Sequence, residues 1–208
     1  MGRFIKYSVM TMIVIVLAVI SFASPKYVIH VIATEGVAVE DALGRNTLNR
    51  VDHDASSAYN TVFIQSKLYA SAYHTFIPTA NEFKKTDGIR AFNGILRWMG
   101  DRIDMLFVVL FLMFERLSLM MLWLPSTAVI LMASAVTGFY LRTIKQGNFA
   151  FASPTAHRLS IRILIIAASL TPFFLCLPIP VSPYVYPVCF LIAAFMVQGI
   201  IANIAKRI

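Results

Sequence analysis

Charge is scarce in this chain. Only 13% of its 208 residues are Asp, Glu, Lys or Arg, whereas 59% are apolar. Soluble domains carry about 25% charged and about 45–50% apolar residues, so the composition excludes a disordered chain, a collagenous fibre and an ordinary cytosolic enzyme. It predicts an all-α integral membrane protein, because this length accommodates several spans of about 20 residues each.

Acidic residues are missing from the second half of the chain. All ten lie between Glu35 and Glu115, and only basic residues follow. Basic residues between apolar runs are typical of cytoplasmic loops, whereas a nucleic-acid surface needs more clustering. We therefore attribute the net charge of +8 to membrane topology. The lipid bilayer is the first predicted partner, and no direct nucleic-acid site is predicted.

Cysteine and catalytic motifs are also rare or missing. Cys176 and Cys189 form no disulfide framework; they are either two free thiols, which we favour, or a pair across the hairpin between two spans. No phosphate-binding loop, nucleophile elbow, HExxH or dinucleotide fingerprint occurs, so we predict neither enzyme activity nor a cofactor. The consecutive Asp52, His53 and Asp54 cannot all face one ion on a helix, so no metal site is predicted.

Apolar segments predict four membrane-spanning helices. The first, residues 7–23, follows two basic residues and is interpreted as an uncleaved anchor, with a cleaved signal peptide as the rival interpretation. The last two, residues 163–177 and 188–205, flank a proline-rich link that suits a stiff turn at the membrane interface. The flanking charges place both termini in the cytoplasm.

The second apolar segment, residues 105–141, allows two interpretations. It forms either two spans with a turn at Pro125, or one span over 117–141 with Pro125 inside the helix. In the second case residues 89–115 lie along the outer interface or project from the membrane. We prefer the second interpretation, because it leaves the basic loop 142–162 in the cytoplasm.

Glu115 and Arg116 interrupt this apolar segment. Charges deep in lipid cost at least ~2.5–3.5 kcal/mol and need partners, whereas charges near the outer interface can extend to water. The preferred single span predicts the interfacial position. No other acid occurs in any predicted span, so a proton relay is not predicted.

The region before this segment is polar and is predicted to be helical and periplasmic. Two apolar stripes recur there at three- and four-residue steps. The first predicts a helix that starts near Asp54 or Ser56 and ends at Pro78. The predicted domains are therefore an anchor over 1–24, this periplasmic region over 25–104, and a membrane domain over 105–208.

Small residues mark two faces of the predicted spans. Ser134 and Gly138 lie four residues apart on one span, and Gly199 lies on the last. Such faces let helices approach closely, and Gln198 and Asn203 can add interhelical hydrogen bonds. We predict helix packing at these positions, either within the chain or between copies of a homo-oligomer.

The basic loop 142–162 is the predicted docking segment. It places two aromatic residues between basic clusters, which suits a cytoplasmic or membrane partner, although attraction to anionic lipid also explains its charge. The candidate docking residues are Arg142, Lys145, Phe149, Phe151, His157, Arg158 and Arg162.

Several short motifs follow one another between residues 97 and 162. They are Arg97-Trp98, Phe114-Glu115-Arg116-Leu117, Leu122-Trp123-Leu124-Pro125, Gly138-Phe139-Tyr140-Leu141-Arg142, Phe149-Ala150-Phe151-Ala152-Ser153-Pro154 and His157-Arg158. Their order, and above all the spacing from Trp-Leu-Pro to Ala-Ser-Pro, resembles membrane proteins of integrating conjugative elements and conjugative plasmids. That family is of unknown function. The chain departs from it in having few basic residues after Pro154.

The resemblance implies a Gram-negative inner-membrane protein that assists conjugative DNA transfer as a non-enzymatic accessory or scaffold. Its implied partner is the coupling ATPase or the type IV secretion channel. Two alternatives stay open at this point. One is an exclusion or signalling membrane protein that acts in the recipient cell, and the other is a small transporter or channel subunit.

Overall fold

The computed structural model of the protein describes residues 23–76, 92–148 and 153–204, with six isolated residues before them. All regular structure in these ranges is helical, as predicted. The predicted first span, residues 7–23, lies almost wholly outside the described residues. In chain order the helices are α1 (Pro25–Leu43), α2 (Arg45–Tyr59), a π-helical segment (Asn60–Gln65), α3 (Leu68–Phe76), α4 (Phe92–Gly147), α5 (Pro154–Cys176) and α6 (Val185–Ala202).

Gly44 separates α1 from α2. Its φ of 85° lies in the left-handed region, which glycine adopts at little cost. The helix start predicted near Asp54 or Ser56 is wrong, because α2 begins directly after Gly44. The buried residues of α2 are Val51 and Ala55. Two apolar residues in an otherwise polar segment give too weak a helical periodicity to predict where this helix begins.

The helical path predicted to end at Pro78 is interrupted at Lys67. The φ of Lys67 is 59°, which helical backbone does not allow. Just before it, the Ser66 hydroxyl donates a hydrogen bond to the carbonyl of Val62. The predicted end at Pro78 lies outside the described residues.

α4 is one helix of 56 residues that passes through Pro125. The two-span interpretation with a turn at Pro125 is therefore wrong, and Pro125 lies inside a helix as the preferred interpretation predicts. Proline removes one backbone hydrogen bond from the helix. In the same turn the hydroxyls of Ser126 and Thr127 donate to the carbonyl of Trp123 at 2.9 and 2.7 Å, which adds polar contacts to this backbone.

Three helices in the described part of the chain are long and apolar enough to cross a membrane: residues 98–147 of α4, α5 and α6. Large apolar side chains remain exposed along them. Met132, Tyr140 and Phe195 are 63%, 68% and 65% exposed. Apolar surface of this extent is typical of an interaction with membrane or protein.

α5 begins earlier than its predicted span. Pro154 occupies the first turn, where its missing N–H has no intrahelical partner to lose. The Ser153 hydroxyl accepts the N–H of Ala156 at 3.3 Å, as an N-terminal cap does. Residues 177–184, which hold three of the four prolines in the predicted stiff link, are non-helical.

The chain forms two compact units, and the boundary between them falls inside α4. The first unit comprises residues 1–119 and 175–182, and the second comprises 120–174 and 183–208. The core of the first unit lies between α1 and the first half of α4. Its buried residues are Val28, Met105, Val109 and Leu112.

Candidate functional site

A buried ion pair joins α1 to α4 in the first unit. The Arg116 side chain is 1% exposed and that of Glu35 is 11% exposed. Nη2 of Arg116 donates to Oε1 of Glu35 at 2.5 Å, and Nε donates to Oε2 at 3.1 Å, which makes the pair bidentate. Arg116 does not extend to water as the interfacial interpretation allowed, because its side chain is buried in the first unit and pairs with the Glu35 carboxylate of another helix.

The same pair also contacts the last turn of α5 and the chain that follows it. Nη1 of Arg116 donates to two carbonyls at 3.3 and 2.7 Å, and Nη2 donates to a third at 2.7 Å. Oε1 of Glu35 accepts the N–H of Val181 at 2.9 Å. Carbonyls at the end of a helix lack intrahelical hydrogen-bond donors. The guanidinium supplies donors to these carbonyls, which would otherwise be buried without a hydrogen bond. The three acceptors are the carbonyls of Leu175, Leu177 and Ile179.

A cavity of about 30 Å³ adjoins the ion pair. Glu35, Asp52 and Glu115 line it together with Arg116, and Glu35 is the carboxylate that pairs with the guanidinium. Asp52 is an exposed residue, and its partial desolvation raises its pKa above the ordinary value of 3.8, because a partly desolvated carboxylate binds its proton more tightly. Within the described ranges, no group of three or more His, Cys, Asp or Glu residues is placed to hold a metal.

Aromatic side chains pack the polar region against α4. The ring centroids of Tyr69 and Phe107 are 4.6 Å apart, those of Tyr59 and Phe111 are 5.5 Å apart, and those of Phe63 and Phe107 are 5.7 Å apart. These pairs are tilted or edge-to-face, an arrangement that the ring quadrupole favours. The aromatic residues of the predicted stripe therefore converge on one partner helix, although the helix that carries them is interrupted.

Asn203 organises the ends of the basic loop in the second unit. Its Oδ1 accepts Nζ of Lys145 at 2.8 Å and the N–H of Ser153 at 3.4 Å. Its Nδ2 donates to the carbonyl of Gly199 at 2.9 Å. One amide thus links the end of α4 and the start of α5 to the last turn of α6.

The predicted docking residues fall into different environments. Lys145 is held by Asn203, and Nδ1 of His157 lies 3.0 Å from the carbonyl of Ile200. Arg142 is half-buried, whereas Arg158 and Arg162 are exposed on α5. Phe149 and Phe151 lie outside the described residues.

The predicted packing glycines lie where helices of the second unit meet. A Cβ on Gly138 of α4 would lie 3.0 Å from Cβ of Ile201 and 3.1 Å from the carbonyl oxygen of Gln198. A Cβ on Gly199 of α6 would lie 2.6 Å from Oγ of Ser160 on α5. Both contacts are within the chain. Ser134 is half-buried on α4.

The Gly199 contact predicts a compensating pair of substitutions. Gly199→Ala is expected to lower the free energy of unfolding by about 1–3 kcal/mol, because the new methyl group overpacks the interface. Adding Ser160→Ala removes the clashing oxygen and leaves Cβ of residue 160 at 3.5 Å, an ordinary contact. The double variant is therefore expected to recover most of the loss in detergent unfolding titrations. A double variant as unstable as Gly199→Ala alone would contradict this packing.

Both cysteines are free thiols, as favoured from the sequence. Cys176 is buried and Cys189 is exposed. Sγ of Cys176 lies 3.6 Å from Sδ of Met113. Cys176 therefore packs as a small apolar side chain.

Glu35 is the residue of the ion pair that sequence reasoning missed. Arg116 was expected to extend to water at the interface, and Glu35 lies outside every predicted span. A signal was present, because Val28, Val31, Glu35 and Val39 follow at three- and four-residue steps. An acid within such a stripe faces the interior together with its apolar neighbours.

The fold and the site define a helical protein whose described residues include three helices able to cross a membrane, a buried intramolecular ion pair and a basic loop held at both ends. A protein-family model described as "DtrJ-like: IncC plasmid conjugative DNA transfer protein DtrJ-like" matches residues 29–206. The chain therefore belongs to the DtrJ-like family, which links it to conjugative DNA transfer and confirms the resemblance seen in its motifs. No curated protein and no solved structure matches the chain.

Proposed function

We propose that the chain is a non-enzymatic accessory or scaffold of a conjugative DNA-transfer apparatus in the bacterial inner membrane. In this proposal it is a multi-pass protein with both termini in the cytoplasm, and it docks the coupling ATPase or the type IV secretion channel. Membership of a conjugative DNA-transfer family is the observation that carries the proposal. The three apolar helices support the membrane location.

Some of the predicted docking residues contact other parts of the chain, whereas others are exposed and free to meet a partner protein. Lys145 and His157 contact groups near the end of α6, so their polar atoms serve the fold. Arg158 and Arg162 are exposed and four residues apart on α5, which places them on the same helix face. We therefore assign docking to Arg158 and Arg162, since exposed charges at an interface rim steer association with an acidic partner.

The test replaces both docking charges. Arg158→Gln with Arg162→Gln is expected to reduce the transfer frequency from donor cells about tenfold or more, because docking loses the two charges that steer association. The matched control is Arg45→Gln with Arg50→Gln, which removes the same charge from exposed positions on α2. Transfer frequency, membrane-fraction abundance and co-purification of the coupling ATPase would be measured for each variant.

The outcomes separate docking from membrane insertion. Normal abundance with reduced transfer and reduced co-purification supports docking by these two arginines. Unchanged transfer would overturn it. A transfer defect that arises only when the variant is expressed in recipient cells would instead favour the exclusion or signalling alternative.

A further inference from the structure

A second pocket in the first unit has the size of a ligand site. It has a volume of about 450 Å³, within the range of about 300–1,000 Å³ that is usual for small-molecule sites. Seven of the eight described residues that line it are aromatic or aliphatic, and the eighth is Asp104. The walls are therefore apolar, with one carboxylate among them.

The carboxylate lies at one end of the pocket wall on α4. Asp104, Val108 and Phe111 follow at steps of four and three residues, so this wall runs for about 10 Å along the helix. Asp104 forms its polar end and Phe111 its apolar end. A ligand that matches this wall has a cationic head and an apolar body.

Asp104 is available as a hydrogen-bond acceptor. Its Oδ1 accepts the hydroxyl of Tyr69 at 3.4 Å. Burial, and then the neighbouring Asp104 charge, raise the pKa of Tyr69, so this hydroxyl keeps its proton and remains a donor. Within the described ranges, no cationic side chain forms an ion pair with Asp104.

The position of the pocket along the chain favours a lipid as its ligand. Asp104 is the last charged residue before the uninterrupted apolar stretch 105–114. Nearly two turns earlier on the same helix, Trp98 is 54% exposed, and the Arg102 guanidinium lies 5.6 Å from its ring centroid. Tryptophan and arginine are typical of the level where lipid headgroups lie. Ile29 lines the pocket and is itself 54% exposed, which extends the apolar wall to the surface.

We propose that this pocket binds phosphatidylethanolamine, with the primary ammonium at Asp104 and the apolar part of the lipid along Val108 and Phe111. A primary ammonium group donates three hydrogen bonds, whereas the quaternary ammonium of choline donates none. The carboxylate therefore selects the ethanolamine headgroup over the choline headgroup, and it repels anionic headgroups. This inference does not depend on the proposed role in DNA transfer.

The experiment measures which lipid the full-length protein retains. The protein would be purified in mild detergent, incubated with an equimolar mixture of phosphatidylethanolamine, phosphatidylcholine and phosphatidylglycerol, and examined by native mass spectrometry. We expect about tenfold more retained phosphatidylethanolamine than phosphatidylcholine, equivalent to ~1.4 kcal/mol. Asp104→Asn is expected to abolish this preference.

Two further variants separate the pocket from general effects of charge and folding. Asp101→Asn removes an exposed acid from the same helix without touching the pocket, so it is expected to keep the preference. Val108→Trp fills the pocket and is expected to reduce retention of the lipid while helix content by circular dichroism stays unchanged. Equal retention of the three lipids by the unmodified protein would overturn the proposal, as would loss of the preference in Asp101→Asn.

Discussion

Arg116→Leu is expected to destabilise the protein by about 3–5 kcal/mol, the usual cost of removing one partner from a buried ion pair. The substitution leaves Glu35 buried without its cation and removes the donors to three carbonyls, one in the last turn of α5 and two in the chain after it. The loss would be measured as the change in free energy of unfolding in detergent, with helix content followed by circular dichroism.

The matched control for this prediction is a surface ion pair. Arg45 lies 3.8 Å from Glu40, and its side chain is 81% exposed. Exposed pairs contribute little because water and salt screen them, so Arg45→Leu is expected to leave the stability almost unchanged. Equal effects of the two substitutions would show that burial of Arg116 does not determine the stability of the first unit.

A double variant separates the unpaired charge from the lost hydrogen bonds. Glu35→Leu combined with Arg116→Leu removes both charges, and apolar replacement of a whole buried pair is often tolerated. We expect the double variant to be more stable than Arg116→Leu but less stable than the unmodified protein, because the carbonyls still lack their donor. A double variant less stable than either single variant would contradict this assignment.

Gly138→Val is expected to lower the free energy of unfolding by about 1–3 kcal/mol through overpacking. The new side chain would meet Cβ of Ile201 and the carbonyl oxygen of Gln198, and neither atom can rotate away. α4 and α6 must therefore move apart. Detergent unfolding titrations would measure the loss, and crosslinking between cysteines introduced on the two helices would measure the separation.

Gly147→Val is the matched control on the same helix. Among the described residues, a Cβ there would find no heavy atom within 4 Å, and valine favours helix slightly more than glycine does. Its expected effect on stability is small or slightly favourable. A loss equal to that of Gly138→Val would mean that the helix-helix contact is not the cause.

The helical architecture follows from composition and periodicity. Apolar runs with few charges predict helices in a membrane protein, because backbone polar groups must be satisfied within the segment. The last two predicted spans, residues 163–177 and 188–205, overlap α5 and α6 closely for this reason. The sequence around Pro125 is compatible both with a turn and with an uninterrupted helix. The structure shows one helix that passes through Pro125.

The errors in the polar region have a physical cause as well. α2 buries few residues, so its periodicity is weak, and its start depends on the positive φ of Gly44. The interruption at Lys67 also depends on a positive φ, which a lysine side chain does not predict. Conformations of this kind are maintained by the packing of the surrounding chain rather than by the residue itself.

What the sequence by itself determined is the helical content, the apolar runs, the one-sided charge and the family. The two buried stripes that each carry one charge were not predicted from the sequence: Glu35 follows Val28 and Val31 on α1, as Arg116 follows Val109 and Leu112 on α4. Only the tertiary structure brought these stripes together and paired their charges.

The physical reason is the distance along the chain. Glu35 and Arg116 are 81 residues apart, and Lys145 and Asn203 are 58 residues apart. Local periodicity determines which face of a helix is buried, but it does not determine which other helix packs against that face. That choice depends on how the helices pack, and the ion pair, the Asn203 contacts and the pocket at Asp104 all result from it.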